Sequence, residues 1–403
     1  MPTLANLRFR HAKRESELLG QVSTPDAIVE RLLEDFPRTT RCVVDLGAGD
    51  GRLARASLAH APQAEAQLFE VDEARVQRLR ETASPRERVW PLDVLRDSEL
   101  LAVPGMCGAP DAVVSNPPYQ EVRLAGEDLA RARTILPFLV DQSGWVRADV
   151  VFVAYAWALC GLGAFLGLIL PAPALTQPQY RPLREMFLSQ LEGLTVSQLP
   201  SRCFPGVEVD AFLVTGRRAL PARRSPTLRL INRAGEVVAV RQVGYEAGLA
   251  RLDFAAHESA ARLGLENGPA DTLHSLGVEI IRGSMTRVAF ERAGLQAFHT
   301  TDFAAAGGEL HFADIPSTPR VAGPGDILIP RVGSRCLMRE ARVVSGSGAF
   351  SDSVYRLRGA PAVMKRVWAT LASDFGRQWR ATHAVGSCAK HLPLWVLRDM
   401  PVR

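Results

Sequence analysis

The chain has no Cys-x-x-Cys pair and no cluster of histidines; its six cysteines (Cys42, Cys107, Cys160, Cys203, Cys336 and Cys388) are scattered along 403 residues. That usage argues against a zinc site and for a reduced, cytoplasmic setting. The first 20 residues lack an apolar core of the length a secretory signal needs. There is no internal repeat and no low-complexity tract. One stretch, residues 150–170, lacks charge over a length that could span a bilayer. Gly161-Leu162-Gly163 divides it, however, into a helix-length piece and a strand-length piece ending at Pro171. A buried helix followed by a central parallel strand reads as continuously apolar in the same way, so no membrane association is expected.

What is present is ordinary in bulk and uneven in charge. Hydrophobic residues make up 47% and charged residues 23%, as in a globular protein, and the length favours two domains. The first 220 residues carry 24 Arg/Lys against 27 Asp/Glu; the remainder carries 24 against 16. A near-neutral front and a basic back suit a back half that meets a polyanion, or one that merely has a solvated arginine-rich surface.

Periodicity predicts a doubly wound α/β front half. A helix is expected over Pro25 to Phe36, from the spacing of Ile28, Val29, Leu32 and Leu33. Strands are expected at Arg41–Leu46, Gln67–Val71, Val89–Leu92 and Ala112–Ser115, with a charged helix running to Arg80. Repeated strand–helix units imply a parallel sheet covered on both faces, with ligands at the carboxyl ends of its strands. The arginine- and proline-rich segment Arg217 to Pro226 reads as a linker. Beyond it come short strands between Gly, Pro, Ser and Asp turns, with a helix near Ala362 to Ala372. The expected division is residues 1–216 as a catalytic domain, 217–271 as a connector and 272–403 as a second, smaller mixed α+β domain.

Two motifs carry chemistry. Asp45-Leu46-Gly47-Ala48-Gly49-Asp50-Gly51 follows a strand, and its glycines let the backbone turn tightly against a nucleotide-like ligand. Glu70, at the end of the next strand, is placed to accept ribose hydroxyls. Nicotinamide and flavin folds have glycine turns too, but DxGxGxG resembles the S-adenosylmethionine fingerprint more than the dinucleotide one. The second motif is Asn116-Pro117-Pro118-Tyr119, at the end of a hydrophobic strand. Consecutive prolines remove two backbone donors and fix φ, which gives a rigid turn presenting carbonyl oxygens. The Asn116 carboxamide oxygen and the Pro117 carbonyl can together accept both hydrogens of an aromatic amino group and aim its lone pair at a methyl donor. Tyr119 offers a flat face for the base.

On these motifs the front half resembles the amino-methylating DNA methyltransferases. Further segments match in order. Gly20-Gln21-Val22-Ser23-Thr24-Pro25 is similar to the family's N-terminal motif, whose Thr-Pro (here Thr24 and Pro25) lies near the cofactor's methionine end. Asp93 matches the aspartate that binds the cofactor's adenine. Arg147-Ala148-Asp149 resembles the motif that follows NPPY. Phe204-Pro205-Gly206-Val207 resembles the one whose aromatic packs on the second face of an extruded base. The motif order, cofactor first, then catalysis, then a C-terminal recognition domain, implies adenine N6 as the target. The resemblance thus implies S-adenosyl-L-methionine as cofactor, bound by Thr24, Pro25, Asp45, Gly47, Gly49, Glu70, Asp93 and Asn116. Its catalytic set is Asn116, Pro117, Tyr119 and Phe204, with Tyr119 and Phe204 sandwiching the base.

The back half resembles the target-recognition domains of type I restriction specificity subunits. The match rests on Gly325-Asp326-Ile327-Leu328-Ile329-Pro330-Arg331-Val332-Gly333 and Phe350-Ser351-Asp352-Ser353-Val354-Tyr355-Arg356-Leu357. It implies double-stranded DNA as partner, with Arg331, Arg335 and Arg339 as candidate phosphate or base contacts, or else plain surface arginines. A single such domain suits a monomer. Because the first motif begins at residue 20, a cleaving partner is expected on a separate chain. An RNA or protein-glutamine amino methyltransferase with the same NPPY chemistry is the alternative; it would not need the basic back half.

Overall fold

The computed structural model describes residues 23–403 except 97, 103–107, 138–144, 202, 205–208, 263, 265–270, 305–306, 314–319, 334 and 386–389. Gly20 to Val22 and Pro205 to Val207, parts of two expected motifs, therefore lie outside the described residues. The chain forms two compact units, one running to Phe254 and the other from Ala255 to Arg403.

The first unit is built on a nine-stranded sheet. Its strands are β1 (Cys42–Leu46), β2 (Glu65–Phe69), β3 (Glu87–Trp90), β4 (Ala112–Ser115), β7 (Phe165–Pro171), β8 (Leu191–Gln198), β9 (Ala211–Arg218), β10 (Thr227–Ile231) and β11 (Val237–Gln242). The short strands β5 (Glu121–Arg123) and β6 (Trp145–Arg147) pair separately as a two-stranded ribbon. The order across the main sheet is β11-β10-β8-β9-β7-β4-β1-β2-β3. Strands β3, β2, β1, β4 and β7 run parallel, and β9 enters antiparallel between β7 and β8. Central strands of a sheet covered on both sides are apolar on both faces. Every residue of β4 and of β7 is buried accordingly.

The helices that matter for the site are α1 (Asp26–Asp35), α2 (Arg52–His60), α3 (Glu73–Thr82), α4 (Gly126–Ile135) and α5 (Ala148–Leu159). The charge-free run at 150–170 divides as the glycines suggest, α5 ending at Leu159 and β7 beginning at Phe165. Among the described residues no helix is long and apolar enough to cross a membrane.

Part of the expected connector, residues 217–271, pairs into the first unit's sheet. Residues 227–242 form an antiparallel hairpin, β10–β11, and β10 pairs in parallel with β8, Thr227 opposite Thr195. Asn232 closes the hairpin turn, its side-chain oxygen accepting the Ala234 and Glu236 amides, both at 3.0 Å. The hairpin is tied to α1 where Arg229 and Thr215 both reach the Asp35 carboxylate. The buried Arg184 binds the following helix, Tyr245–Ala250, to the same core by donating to the carbonyls of Leu249 (3.0 Å) and Gln177 (2.8 Å). A buried guanidinium is tolerated only when its donors find acceptors, and these are supplied by segments on both sides of the expected boundary at 216.

The second unit is a mixed α+β body. Its five-stranded sheet has the order β12-β18-β15-β16-β13: β12 (Glu279–Arg282), β13 (Gly308–His311), β15 (Ile327–Pro330), β16 (Ala341–Ser345) and β18 (Val354–Arg358). The two-residue strands β14 (Val321–Ala322) and β17 (Gly348–Ala349) pair beside it. Alternation along β15 sends Ile327 and Ile329 to one side and Leu328 to the other. The first side packs on Met364, Val367 and Leu371 of the helix Pro361–Ala372 and on Trp379 of the helix Asp374–His383; the second packs on Phe298, Phe303 and Phe350. A bridge between Thr272 and Pro401 brings the ends of this body together. Glu340 and Arg380, both fully buried, pair at 2.5 Å, and Arg377 takes the other carboxylate oxygen at 2.6 Å.

Candidate active site

Two turns at the carboxyl ends of neighbouring strands make the site. The Ser115 hydroxyl donates to the Leu46 carbonyl at 2.6 Å and so locks the ends of β4 and β1 together. The chain leaves β1 into Gly47 and leaves β4 into Asn116, so the glycine turn and NPPY stand side by side. Gly47, Gly49 and Gly51 all have positive φ (72°, 61° and 77°), which L side chains adopt at a cost. At Gly47 a Cβ would also stand 3.0 Å from the Phe152 ring.

A cavity of about 830 Å³ opens over this junction. Its wall includes Thr24, Gly47, Gly49, Glu70, Asp93 and Asn116, which sequence reasoning had scattered over 90 residues. The Glu70 carboxylate is tied into the turn, accepting the Gly49 amide at 2.7 Å and the Val71 and Asp72 amides at 2.9 Å. Asp93 accepts the Leu95 amide at 2.9 Å and pairs with Arg96 at 2.8 Å. Phe152, from α5, lies under Gly47 and forms part of the wall. Sequence reasoning missed it, because almost all of α5 is buried and no periodicity singles out one face.

The Asn116 amide is held from both ends. Its nitrogen donates to the Thr24 hydroxyl at 3.0 Å, and its oxygen accepts the Tyr119 hydroxyl at 2.8 Å. Burial, and then the Asp149 carboxylate nearby, push the Tyr119 phenol well above its usual pKa, so it remains a donor at neutral pH. A carboxamide oxygen has two lone pairs and can accept more than one hydrogen bond. Pro25 starts α1, its carbonyl accepting the Ile28 amide at 3.0 Å and the Val29 amide at 3.2 Å.

The expected aromatic sandwich is not present in this arrangement. Tyr119 and Phe204 meet edge to face, with centroids 6.3 Å apart and planes at 68°, and neither is on the cavity wall. Phe204 is 1% exposed, a core side chain packed with Leu199, Val209 and Leu213. The Tyr119 hydroxyl reaches the Asn116 oxygen at 2.8 Å and the Ile169 carbonyl at 3.3 Å. Pro117 is buried between Asn116 and Pro118.

Asp45 also lies off the cavity wall, at 1% exposure, with one oxygen accepting the Ala54 amide at 3.1 Å and the other without a hydrogen-bond partner among the described residues. Burial raises its pKa from 3.8 to about 7; the Ala54 amide opposes this, and Glu70 and Asp50 add to it. The folded state thus keeps a proton that the unfolded chain releases near pH 4. Stability falls as pH climbs from about 4 to about 7 and stays reduced above that window. Asp45→Asn keeps the acceptor and carries no charge, so its melting temperature is expected to decline less between pH 4 and pH 8. The difference amounts to at most about 4 kcal/mol. Parallel calorimetric pH profiles for the two proteins would show that Asp45 bears no such burden.

The three arginines proposed for DNA contact separate. Arg339 is partly buried and donates to the Phe303 carbonyl at 2.8 Å, a structural tie; Arg335 is exposed; Arg331 is partly buried and donates to the Asp352 carbonyl at 2.7 Å.

Residues 23–135 match the family described as the methyltransferase small domain. No curated protein gives a significant match. Among solved structures, the chain is similar to the type IIG restriction endonuclease BpuSI at 11% identity and a TM-score of 0.49, over 94% of this chain and 58% of that one. It is also similar to the methyltransferase subunit of a type I restriction-modification system from Streptococcus thermophilus, at 16% identity and a TM-score of 0.43, over 57% of this chain and 52% of that one. The chain spans about half the length of the solved chains it matches.

Proposed function

We propose that this protein is a site-specific DNA methyltransferase that transfers a methyl group from S-adenosyl-L-methionine to N6 of adenine. The observation that carries the reading is the Asn116 amide, pinned by Thr24 and Tyr119 on the wall of a cavity floored by a glycine turn. The methyltransferase match over residues 23–135 supports it.

The residues present fit the cofactor. The left-handed backbone at Gly47, Gly49 and Gly51 makes a tight turn without side chains that suits close approach of a ligand, and the carboxylates of Glu70 and Asp93 are acceptors for ribose hydroxyls and an adenine amino group. When bound, S-adenosyl-L-methionine supplies an electrophilic methyl on sulfonium. Asn116 then uses its carboxamide oxygen, and Pro117 its carbonyl, to accept the two hydrogens of the target amino group. That holds the nitrogen's lone pair in one direction, and rate comes from orientation and fixed dipoles rather than from a strong base. A target adenine must leave the base stack to reach such a turn, which favours a base-extruding mode on double-stranded DNA. The expected stack of that base between Tyr119 and Phe204 would require both rings to turn from their present edge-to-face contact.

The deciding experiment is transfer of labelled methyl groups to unmethylated genomic DNA, with long-read mapping of the modified bases. N6-methyladenine confined to one short sequence is the expected result. Transfer to RNA or to protein glutamine, with none to DNA, would leave the cofactor site standing and overturn the DNA reading.

A further inference from the structure

At one end of the second unit's sheet, two guanidiniums are gathered on a single backbone oxygen. Arg282 ends β12 and lies opposite Tyr355 of β18; Arg331 follows the last residue of β15, Pro330, which lies opposite Val354. The turn entering β18 runs between them. Both arginines donate Nε to the Asp352 carbonyl of that turn, Arg282 at 3.0 Å and Arg331 at 2.7 Å, so two like charges are fixed side by side. Arg320 joins them, donating to the Arg282 carbonyl at 2.5 Å.

The carboxylate count does not match. Asp352 pairs with Arg282 at 2.8 Å, while Arg331 forms no ion pair among the described residues. Elsewhere in the sheet Arg356 pairs with Glu279 and Arg358 with Asp326, one carboxylate to each, while Arg377 and Arg380 share Glu340. Arg331 is half-buried beside Arg282, and burial followed by that neighbouring charge lowers its guanidinium's affinity for the proton. His391 stands next to it, with its own pKa lowered by burial and then by Arg331, so the imidazole adds no charge of its own at neutral pH. The unfavourable arrangement is held by the backbone, through the Asp352 carbonyl and the bond from the Arg331 amide to the Ser353 carbonyl at 2.8 Å. With their Nε atoms occupied, both guanidiniums retain Nη donors for an anion with several oxygens, and such forks match phosphate.

We infer that Arg282 and Arg331 form a clamp for one backbone phosphate of DNA bound by the second unit. This rests on the DNA reading above and adds to it which side chains hold the duplex without reading its sequence. The pair keeps Arg331 of the Arg331, Arg335 and Arg339 set expected from sequence and joins it to Arg282.

The test is fluorescence anisotropy with a labelled 40-base-pair duplex of random sequence, and with one carrying the mapped methylation site, over a range of salt concentrations. The full chain is compared with Arg331→Gln and Arg282→Gln, each checked for an unchanged melting temperature; Arg335→Gln serves as an exposed control. A phosphate contact predicts weaker binding to both duplexes by a similar factor and a salt slope shallower by about one for each variant, with Arg335→Gln closer to the parent. Folded variants that keep the parent's affinity and slope overturn the clamp while leaving the DNA reading intact. A loss confined to the duplex carrying the methylation site would make the pair a base reader, and overturn it as well. A parent chain that binds neither duplex and methylates no DNA would remove the clamp together with the reading it rests on.

Discussion

Asn116→Ala is expected to lower methyl transfer by at least about 10²- to 10³-fold, the loss typical when a fixed polar group is removed from a reacting centre. Binding of S-adenosyl-L-methionine should change little, because Gly47, Gly49, Glu70 and Asp93 are untouched and sit on other segments of the cavity wall. Single-turnover methylation and calorimetric titration separate the two quantities. A variant that binds and methylates like the parent would remove Asn116 from the chemistry. Asn116→Asp serves as the informative companion. It keeps an acceptor for the Tyr119 hydroxyl and for an amino hydrogen but loses the donor that Thr24 receives, so it should retain more activity than the alanine.

The second large effect is expected at the floor of the cavity. Gly47→Ala places a methyl group at φ 72°, where a side chain costs roughly 1–2 kcal/mol, and 3.0 Å from the Phe152 ring, which is itself packed into α5. Relief requires the turn to rise into the space the ligand needs. If about 2 kcal/mol of this falls on binding, affinity for S-adenosyl-L-methionine drops by about thirtyfold. Titration calorimetry on a variant shown to be folded measures it. Affinity within error of the parent would mean that the ligand does not approach this turn.

Both turns were legible because they are punctuation. A run of glycines after Val43, Val44 and Leu46, and two prolines after Ala112 to Ser115, each end an apolar strand abruptly, and such ends are visible without any tertiary information. The division at Gly161–Gly163 was legible for the same reason. What was not legible depends on partners far along the chain. The β10–β11 hairpin has alternating residues and an Asn232 turn, yet its place in the sheet comes from pairing with β8, some thirty residues earlier. The orientation of Tyr119 is a matter of which acceptor lies within reach, and Asn116 and the Ile169 carbonyl supply it. In the second unit, composition counts arginines but does not say that one is spent on Phe303 while another is held against Arg282.

The same hairpin limits what recombination can exchange. A crossover that swapped everything after residue 216 for the matching part of a related gene would carry off the two outermost strands of the first sheet. It would strip β8 of its outer partner and bare the contacts that Leu228 and Ile231 now cover. The helix anchored by Arg184 would leave with them, depriving a buried cation of one of its acceptors, the Leu249 carbonyl. A crossover near Phe254 keeps the sheet, the hairpin and that helix in one inheritance and passes on the second unit whole. Exchange of the second unit would therefore be tolerated most readily through joins at that point, and the seam in a family's gene trees should lie nearer residue 254 than the arginine- and proline-rich stretch at 217.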